Sequence, residues 1–488
     1  MAKELKLLKN VLINTEGNSL QLVDVMFSNK VEQIIPQSKK KIIWNQISIS
    51  EKWRQFRSEV TANNSPATSK IFDGNFLLLI PGAIDPHVHF NTPGFESRED
   101  FEHGSLAAAH GGVTTVIDMP CTSLPPVTSS DNLKTKMRAI DGRSWVDYAF
   151  WGGVSGNDFQ MWNRVDQNIQ DLIDIGVVGF KCYFVSGMYT FTDLTFEQMS
   201  QVAEIIDFKG NILAVHAEDK ALVFQRQMVF QDIGLNNWQA YCQARDDIAE
   251  GKAVTQAIEI ARRTNAQIHI VHLSSKLALE QIMKARKEGL KVSTETCPHY
   301  LYFTEADFQN KAISNYLKTA PPVKQKSDRT ALWQGLQDGT IAFVTTDHAG
   351  CDPVKEKSSW NFWDVYGGIP GMEHRVPFLF SEGFKKGRLT LSQTINLLST
   401  NIADFFSLSP QKGRIATGAD ADFALINLWD SQIICAENMH SKGKYTPFDG
   451  VIFDAVVEAT FLRGKMVMSR DGKTEVESGY GRPLLLNR

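Results

Sequence analysis

The sequence predicts an α/β protein, a closed (β/α)8 barrel with a small β-sandwich domain assembled from the N- and C-terminal segments. Three observations predict it. Between residues 82 and 348, eight short buried runs alternate with longer helical patterns. Strands alternating with helices form parallel βα units, and eight such units close a barrel. β-like runs also precede and follow this region. The chain of 488 residues is too long for one small domain and suits a large barrel with an accessory domain.

Residues 1–80 hold the runs "LLKNVLI", "LVDVMFS", "VEQIIP" and "FLLLIPG", the N-terminal part of the sandwich. Residues 44–70 are polar and end near "TANNSPATS", which reads as an insertion, part helix and part loop. The barrel occupies residues 81–409. Its runs are "GAIDPHVH" (82–89), "TTVIDMP" (114–120), "DYAFWGG" (147–153), "VVGFKCYF" (177–184), "ILAVHAE" (212–218), "QIHIVHLSS" (267–275), "KVSTETCPH" (291–299) and "IAFVTTDH" (341–348). Residues 410–488 return to β character in "DADFALINL" and "FDAVVEATFLRGKMVM", punctuated by Gly413, Gly418 and Gly464, and complete the sandwich.

Composition narrows the function. A net charge of -4 gives no footprint for nucleic acid. The N-terminus "MAKELKLLKNVLIN" lacks the apolar core of a signal peptide, and no apolar run is long enough to span a membrane. The six cysteines are scattered without a CxxC pair. That argues against a disulfide framework or a zinc finger and fits a reducing cytoplasm.

Metal-ligating residue types recur at the C-terminal ends of the expected barrel strands. Strand one ends in His87 and His89, two residues apart and so on the same side of the strand. Strand four carries Lys181, strand five His216, strand six His272 and strand eight Asp347. Each alone has an ordinary reading: a packed histidine, a snorkelling lysine, a helix-capping aspartate. Together they stand at the face where barrel enzymes build their sites. Imidazole and carboxylate suit zinc and similar divalent ions. Four histidines and an aspartate over-supply one catalytic zinc but serve two ions, which need a bridge. A neutral amine at Lys181, an unpaired lysine in an apolar strand, can take up CO2 to give a bridging carbamate. Asp347 would then ligate one ion and carry the proton from water to the leaving nitrogen.

The motifs "PGAIDPHVHF", "GGVTTVIDMP", "VVGFKCYF", "HLSS", "ETCPHY" and "KGRIATGADADF" resemble the cyclic amidohydrolases, which include allantoinases, hydantoinases (dihydropyrimidinases) and dihydroorotases. The resemblance runs from about residue 75 to the C-terminus. It implies two Zn²⁺ per subunit held by His87, His89, His216, His272 and Asp347, with N6-carboxylysine at Lys181. It also implies hydrolytic opening of a small cyclic amide, and a homo-oligomer, dimer or tetramer. Scaffold relatives of the family lose metal ligands; this chain keeps all six positions.

The choice of ring turns on a few positions. Dihydroorotases read "HxHxREPG" and "MPNT" where this chain has "HVHFNTPG" and "MPCTSLPP". Asn91 and Cys121 thus replace an arginine and an asparagine that hold a ring carboxylate; Arg98 is the one nearby arginine to compensate. Hydantoinases carry a tyrosine where Ser186 stands, although "GGIPGMEHRVPFLF" resembles theirs. "FWGG", "VVGFKC", "ETCPHY" and "MPxxSLPP" resemble allantoinases best, which implies allantoin as substrate. Asn91, Ser186 and the Gly367–Gly368 backbone are the expected ring-binding groups. His299 is an expected orienting group, His348 is expected to point away from Asp347, and Trp360, Trp363 and Tyr366 are expected on the barrel rim.

Overall fold

The computed structural model describes residues 4–37, 41–43 and 70–486. The expected insertion therefore lies outside the described residues except at Lys70, which opens a strand.

The first strands are β1 (Lys6–Glu16), β2 (Ser19–Phe27), β3 (Val31–Pro36), β4 (Ile42–Ile43), β5 (Lys70–Asp73) and β6 (Leu78–Pro81). The barrel follows as β7 (Ala83–His89), β8 (Val113–Asp118), β9 (Asp147–Phe150), β10 (Gly152–Gly153), β11 (Phe180–Tyr183), β12 (Ile212–His216), β13 (Gln267–Ile270), β14 (Val292–Thr296), β15 (Phe343–Val344) and β16 (His348–Ala349). The last strands are β17 (Phe423–Asn427), β18 (Gln432–Ile433), β19 (Ile452–Phe453), β20 (Val456–Leu462) and β21 (Lys465–Ser469).

The eight runs become eight barrel strands, two of them interrupted. The third is broken at Trp151 between β9 and β10. There the indole donates to Pro86 O at 2.8 Å, and Val178 N bonds Phe150 O at 2.9 Å to carry the sheet across the break. The eighth is broken between β15 and β16, where Asp347 sits. Neighbouring strands pair in parallel, and β16 pairs with β7 to close the ring. Arg375 fastens the same seam, donating to Val344 O at 2.7 Å and Ile84 O at 2.8 Å while fully buried. Strands such as β7, β8 and β12 are buried throughout because helices cover the outside and side chains fill the inside. Asp100, Ser129, Thr195, Asp219, Asp246 and Ser275 cap the helices that follow, each accepting from a first-turn backbone N–H.

Strands from both chain ends hydrogen-bond into one sheet, in the order β21-β20-β17-β6-β1-β2-β3, with β4 on β2 and β5 on β1. β1 forks, pairing with β5 over its first residues and with β6 at Leu12. The sheet closes over its own core, which includes Leu8, Val23, Phe27, Phe423 and Phe461. Where it meets the barrel, Lys412 Nζ lies 2.7 Å from Asp147, 3.0 Å from Asp420 and 2.6 Å from Asp422, all buried, and Arg463 also pairs with Asp147. No described helix is long and apolar enough to cross a membrane.

Candidate metal centre

β7 ends in the mouth of the barrel and delivers two imidazoles there. His87 Nε2 and His89 Nε2 each lie 3.2 Å from Asp347 Oδ1, so the three residues offer ligand atoms within 4.8 Å of one another. From β12 and the end of β13, His216 Nδ1 and His272 Nε2 approach to 3.0 Å. The His87 and His272 rings are 5.4 Å apart, which joins the two groups. Lys181 on β11 is fully buried, and its Nζ has no hydrogen-bond partner. Burial lowers its pKa to about 8, so the uncharged amine is within reach. The backbone is strained at the same place: Asn91, His272 and Asp347 have φ of 56°, 38° and 49°. Left-handed non-glycine residues cluster at functional sites.

Two carboxylates fix the histidine tautomers from behind. Glu295 lies 2.5 Å from His87 Nδ1 and 3.2 Å from His269 Nε2, so the proton on His87 sits at Nδ1 and its Nε2 lone pair faces Asp347. Glu218 lies 2.8 Å from His216 Nε2, which turns the Nδ1 lone pair towards His272, and it is paired in turn with Arg245 at 2.5 Å. Burial opposes ionisation of both acids. Contacts with His87 and His269 nevertheless hold Glu295 well below the usual range, and Arg245 with His216 holds Glu218 at about 2. Asp347 is likewise held low against burial, chiefly by His87 and His89. Burial lowers His87, His216 and His272, which favours the neutral imidazole that binds metal, whereas Cys121 and Asp347 raise His89 to about 10 against burial.

These groups fit divalent ions. The donor set is imidazole and carboxylate, and Lys181 Nζ and His272 Nδ1 are buried polar atoms that the protein leaves unmatched. Sequence reasoning missed Glu218, Glu295 and Arg245. Glu295 lies in β14, whose other residues are valine, serine and threonine, and Glu218 lies two residues past the end of β12, so neither stood out as Lys181 did.

The expected ring-binding groups divide. Asn91 is buried with its amide nitrogen unpartnered. Gly367 is exposed at the rim. Gly368 has both backbone groups in use, N–H to Lys318 O at 3.0 Å and C=O from the Tyr445 hydroxyl at 2.9 Å. The Ser186 hydroxyl serves its own loop, donating to Phe191 O at 2.6 Å and accepting from Met188 N at 3.1 Å. Arg98 is bound to Glu356 at 2.7 Å and lies over the Tyr366 ring. His348 points to Glu99, 3.1 Å away, and not into the cluster. His299 is buried with an unpartnered Nε2, and Trp360 is exposed on the rim.

Comparison with known proteins agrees with this geometry. Residues 78–467 match the Amidohydrolase family. An allantoinase of Enterococcus faecalis is 35% identical over 84% of this chain and 90% of its own length. One of Saccharomyces cerevisiae is 34% identical over 80% and 82%. Among solved structures, the L-hydantoinase (dihydropyrimidinase) from Arthrobacter aurescens superposes with a TM-score of 0.88 at 27% identity, covering 99% of this chain and 100% of that one. With a ligand cluster at the mouth of this barrel and likeness along nearly its whole length, the chain belongs to the amidohydrolase family.

Proposed function

We propose that this chain is a binuclear zinc cyclic amidohydrolase that opens allantoin to allantoate. The observation that carries the reading is the cluster of His87, His89, His216, His272 and Asp347 around the unpartnered Lys181 Nζ. These six residues are the proposed ligands. The Lys181 amine would attack the carbon of CO2 and release one proton to solvent, and the resulting carbamate would be the sixth ligand. Two zinc ions held by these residues would supply carbonyl polarisation and a water acidified toward neutrality. Asp347, held ionised, accepts the proton of the attacking water as the water oxygen bonds to the carbonyl carbon. It returns that proton to the ring nitrogen as the C–N bond breaks. Glu295 and Glu218 hold the imidazoles in their ligating tautomers throughout.

Allantoin is favoured by the curated relatives and by the lack of a carboxylate clamp. Neither Asn91 nor Cys121 carries a positive charge, and Arg98 is already paired with Glu356. A ring carboxylate would be desolvated without a partner, at a cost of several kcal/mol. The unpartnered Asn91 amide suits a neutral ureido carbonyl, with Gly367 at the rim. The likeness to hydantoinase structures supports a second reading, a hydantoin or dihydropyrimidine ring. The test is kcat/KM on one zinc-loaded preparation. The expected order is allantoin, then hydantoin or dihydrouracil, then dihydroorotate, with about two zinc ions per chain by elemental analysis. Fast dihydroorotate turnover without allantoin activity overturns the substrate. Trace metal only, after loading with zinc and CO2, overturns the binuclear centre.

A further inference from the structure

We propose that Lys318 is a positioning residue for ring opening: its buried ammonium pins the loop after β16 to the loop after β14, and so sets how the two meet at the barrel mouth. The inference rests on the ring-opening reading above and adds a residue to it. Both loops are βα connections, the kind from which barrel enzymes build their sites. The first carries Asn315 and Lys318 and leads to the helix Lys326–Gln337. The second starts beside Asp347 and leads to the helix that opens at Arg375. It is mostly irregular, with a short helix at Pro353–Glu356. Where such a loop is buried, its backbone carbonyls need donors from elsewhere.

Two lysines supply them. Lys318 Nζ donates to Phe362 O at 2.6 Å, Trp363 O at 3.0 Å and Val365 O at 2.5 Å, one carbonyl for each N–H of an ammonium. Lys318 O accepts in return from Gly368 N at 3.0 Å and from Lys357 Nζ at 3.4 Å. Lys357 Nζ also donates to Asn315 O at 3.1 Å, and the Asn315 amide donates to Lys357 O at 2.7 Å and Ser359 O at 3.1 Å. Residues 315–318 are thus laced to residues 357–368. Both lysines are buried, and among the described residues neither has a carboxylate partner. Aromatic faces meet them instead: Lys318 Nζ lies 4.5 Å from the Tyr241 ring centre and 5.2 Å from that of Phe362, and Lys357 Nζ lies 5.2 Å from that of Tyr445. Burial, with Lys357 and Arg245 nearby, lowers the Lys318 pKa to about 7. Burying a cation in this way is costly, and an apolar side chain would pack the same space. What the ammonium adds is three donors for three carbonyls of one loop. The pin also reaches the frame of the metal centre. The Tyr241 hydroxyl donates to Thr319 O at 2.9 Å, and Arg245, which holds Glu218, lies 5.5 Å from the same Tyr241 ring.

The test compares Lys318→Met and Lys318→Arg with the wild type in zinc-loaded protein, by amide hydrogen exchange and by kinetics on whichever ring the wild type opens fastest. K318M keeps the length and loses every donor. K318R keeps the charge but puts a flat fork in place of three tetrahedral N–H bonds. In K318M the amides of residues 357–368 should exchange about tenfold faster or more, with the barrel strands unchanged. Its kcat/KM should fall by about 10²-fold, through kcat and KM together, because a displaced loop misplaces the mouth around the ring. K318R should show both effects to a smaller extent. Zinc content should match the wild type, which separates this role from metal binding. Unchanged loop exchange in K318M, or a kcat/KM within about threefold of wild type, overturns the proposal. So does faster exchange spread through the barrel strands, which would make Lys318 a residue of overall stability. If K318M does not fold, K318R carries the test, and wild-type exchange and kinetics there overturn the proposal. A wild type that opens none of the rings overturns the ring-opening reading and the kinetic role with it, while the exchange comparison still decides whether Lys318 pins the loop.

Discussion

The barrel carries buried clusters of ionisable residues at both ends, and they differ in how their charges are matched. At the base, Asp147, Asp420 and Asp422 offer three carboxylates within 4.8 Å, as compact a set as the mouth provides. Lys412 sits among all three and Arg463 closes on Asp147. Burial opposes the Lys412 charge, but the three aspartates push its pKa above the ordinary value. At the mouth, Lys181 and His272 keep buried nitrogens without partners. Burial dominates the lysine there and lowers it, the opposite outcome for the same residue type. A cluster completed by its own chain fastens parts of the fold together. A cluster left open is where something else binds.

The comparison breaks first at Asp347. Asp347→Asn keeps the shape of the mouth and removes the proton acceptor. Turnover should fall by about 10²–10⁴-fold or more, with the melting temperature close to wild type. A variant within a few-fold of wild type in kcat would place the base elsewhere. Lys181→Ala, at the same end, should lose at least one zinc ion by elemental analysis and most activity, and short carboxylic acids should restore part of it.

The matching cut at the base is Lys412→Met. It leaves the buried Asp422 without its salt-bridge partner and takes one cation from Asp147 and Asp420, which keep Arg463 and Lys30, and removing one partner of a buried ion pair typically costs about 3–5 kcal/mol. Denaturant unfolding should show that loss, while the protein that remains folded binds zinc with wild-type stoichiometry. A Lys412→Met protein as stable as wild type would mean that Arg463 and Lys30 hold the seam without it.

Glu295→Gln probes the groups behind the mouth. The amide cannot accept from both His87 and His269 as the carboxylate does, so the His87 tautomer loosens. Zinc affinity should fall by about 10–100-fold, the usual effect of removing a carboxylate behind a ligating histidine. A chelator competition assay reads it directly, and unchanged affinity would remove Glu295 from the site.

Much of this was legible in the sequence because barrel strands announce themselves. Their runs are apolar, so a histidine or lysine inside one stands out, and period-two spacing fixes that His87 and His89 share a side. Glu295 and Glu218 carried no such signal, the first in a run of serine and threonine and the second past the end of its strand. Their roles were hidden because which carboxylate meets which imidazole depends on neighbouring strands brought together across the barrel. The base cluster was hidden more deeply. Asp147 and Asp420 are far apart in the chain, and only the sheet built from both ends brings them to one lysine. Loop residues were hardest. Ser186 and Gly368 lie in loops after barrel strands, but nothing in their residue types says that their polar groups are already taken.

Ser186→Ala is the smallest cut and tests that last distinction. If the hydroxyl served the ring, its loss would resemble the loss of an oxyanion donor, about 10²-fold or more in kcat. The geometry gives it another task. The hydroxyl donates to Phe191 O and accepts from Met188 N, bridging both ends of a short loop beside the mouth. Removing it should therefore cost about 1 kcal/mol of stability, the ordinary net worth of such hydrogen bonds. The loop keeps its other anchor, Phe191 N on Met188 O at 3.3 Å, so the mouth holds its shape and kcat should stay within about threefold of wild type. A large fall in kcat at unchanged stability would show that the loop opens in the working enzyme and hands Ser186 to the substrate. The difference between satisfied and unsatisfied groups would then cease to sort the mouth's residues.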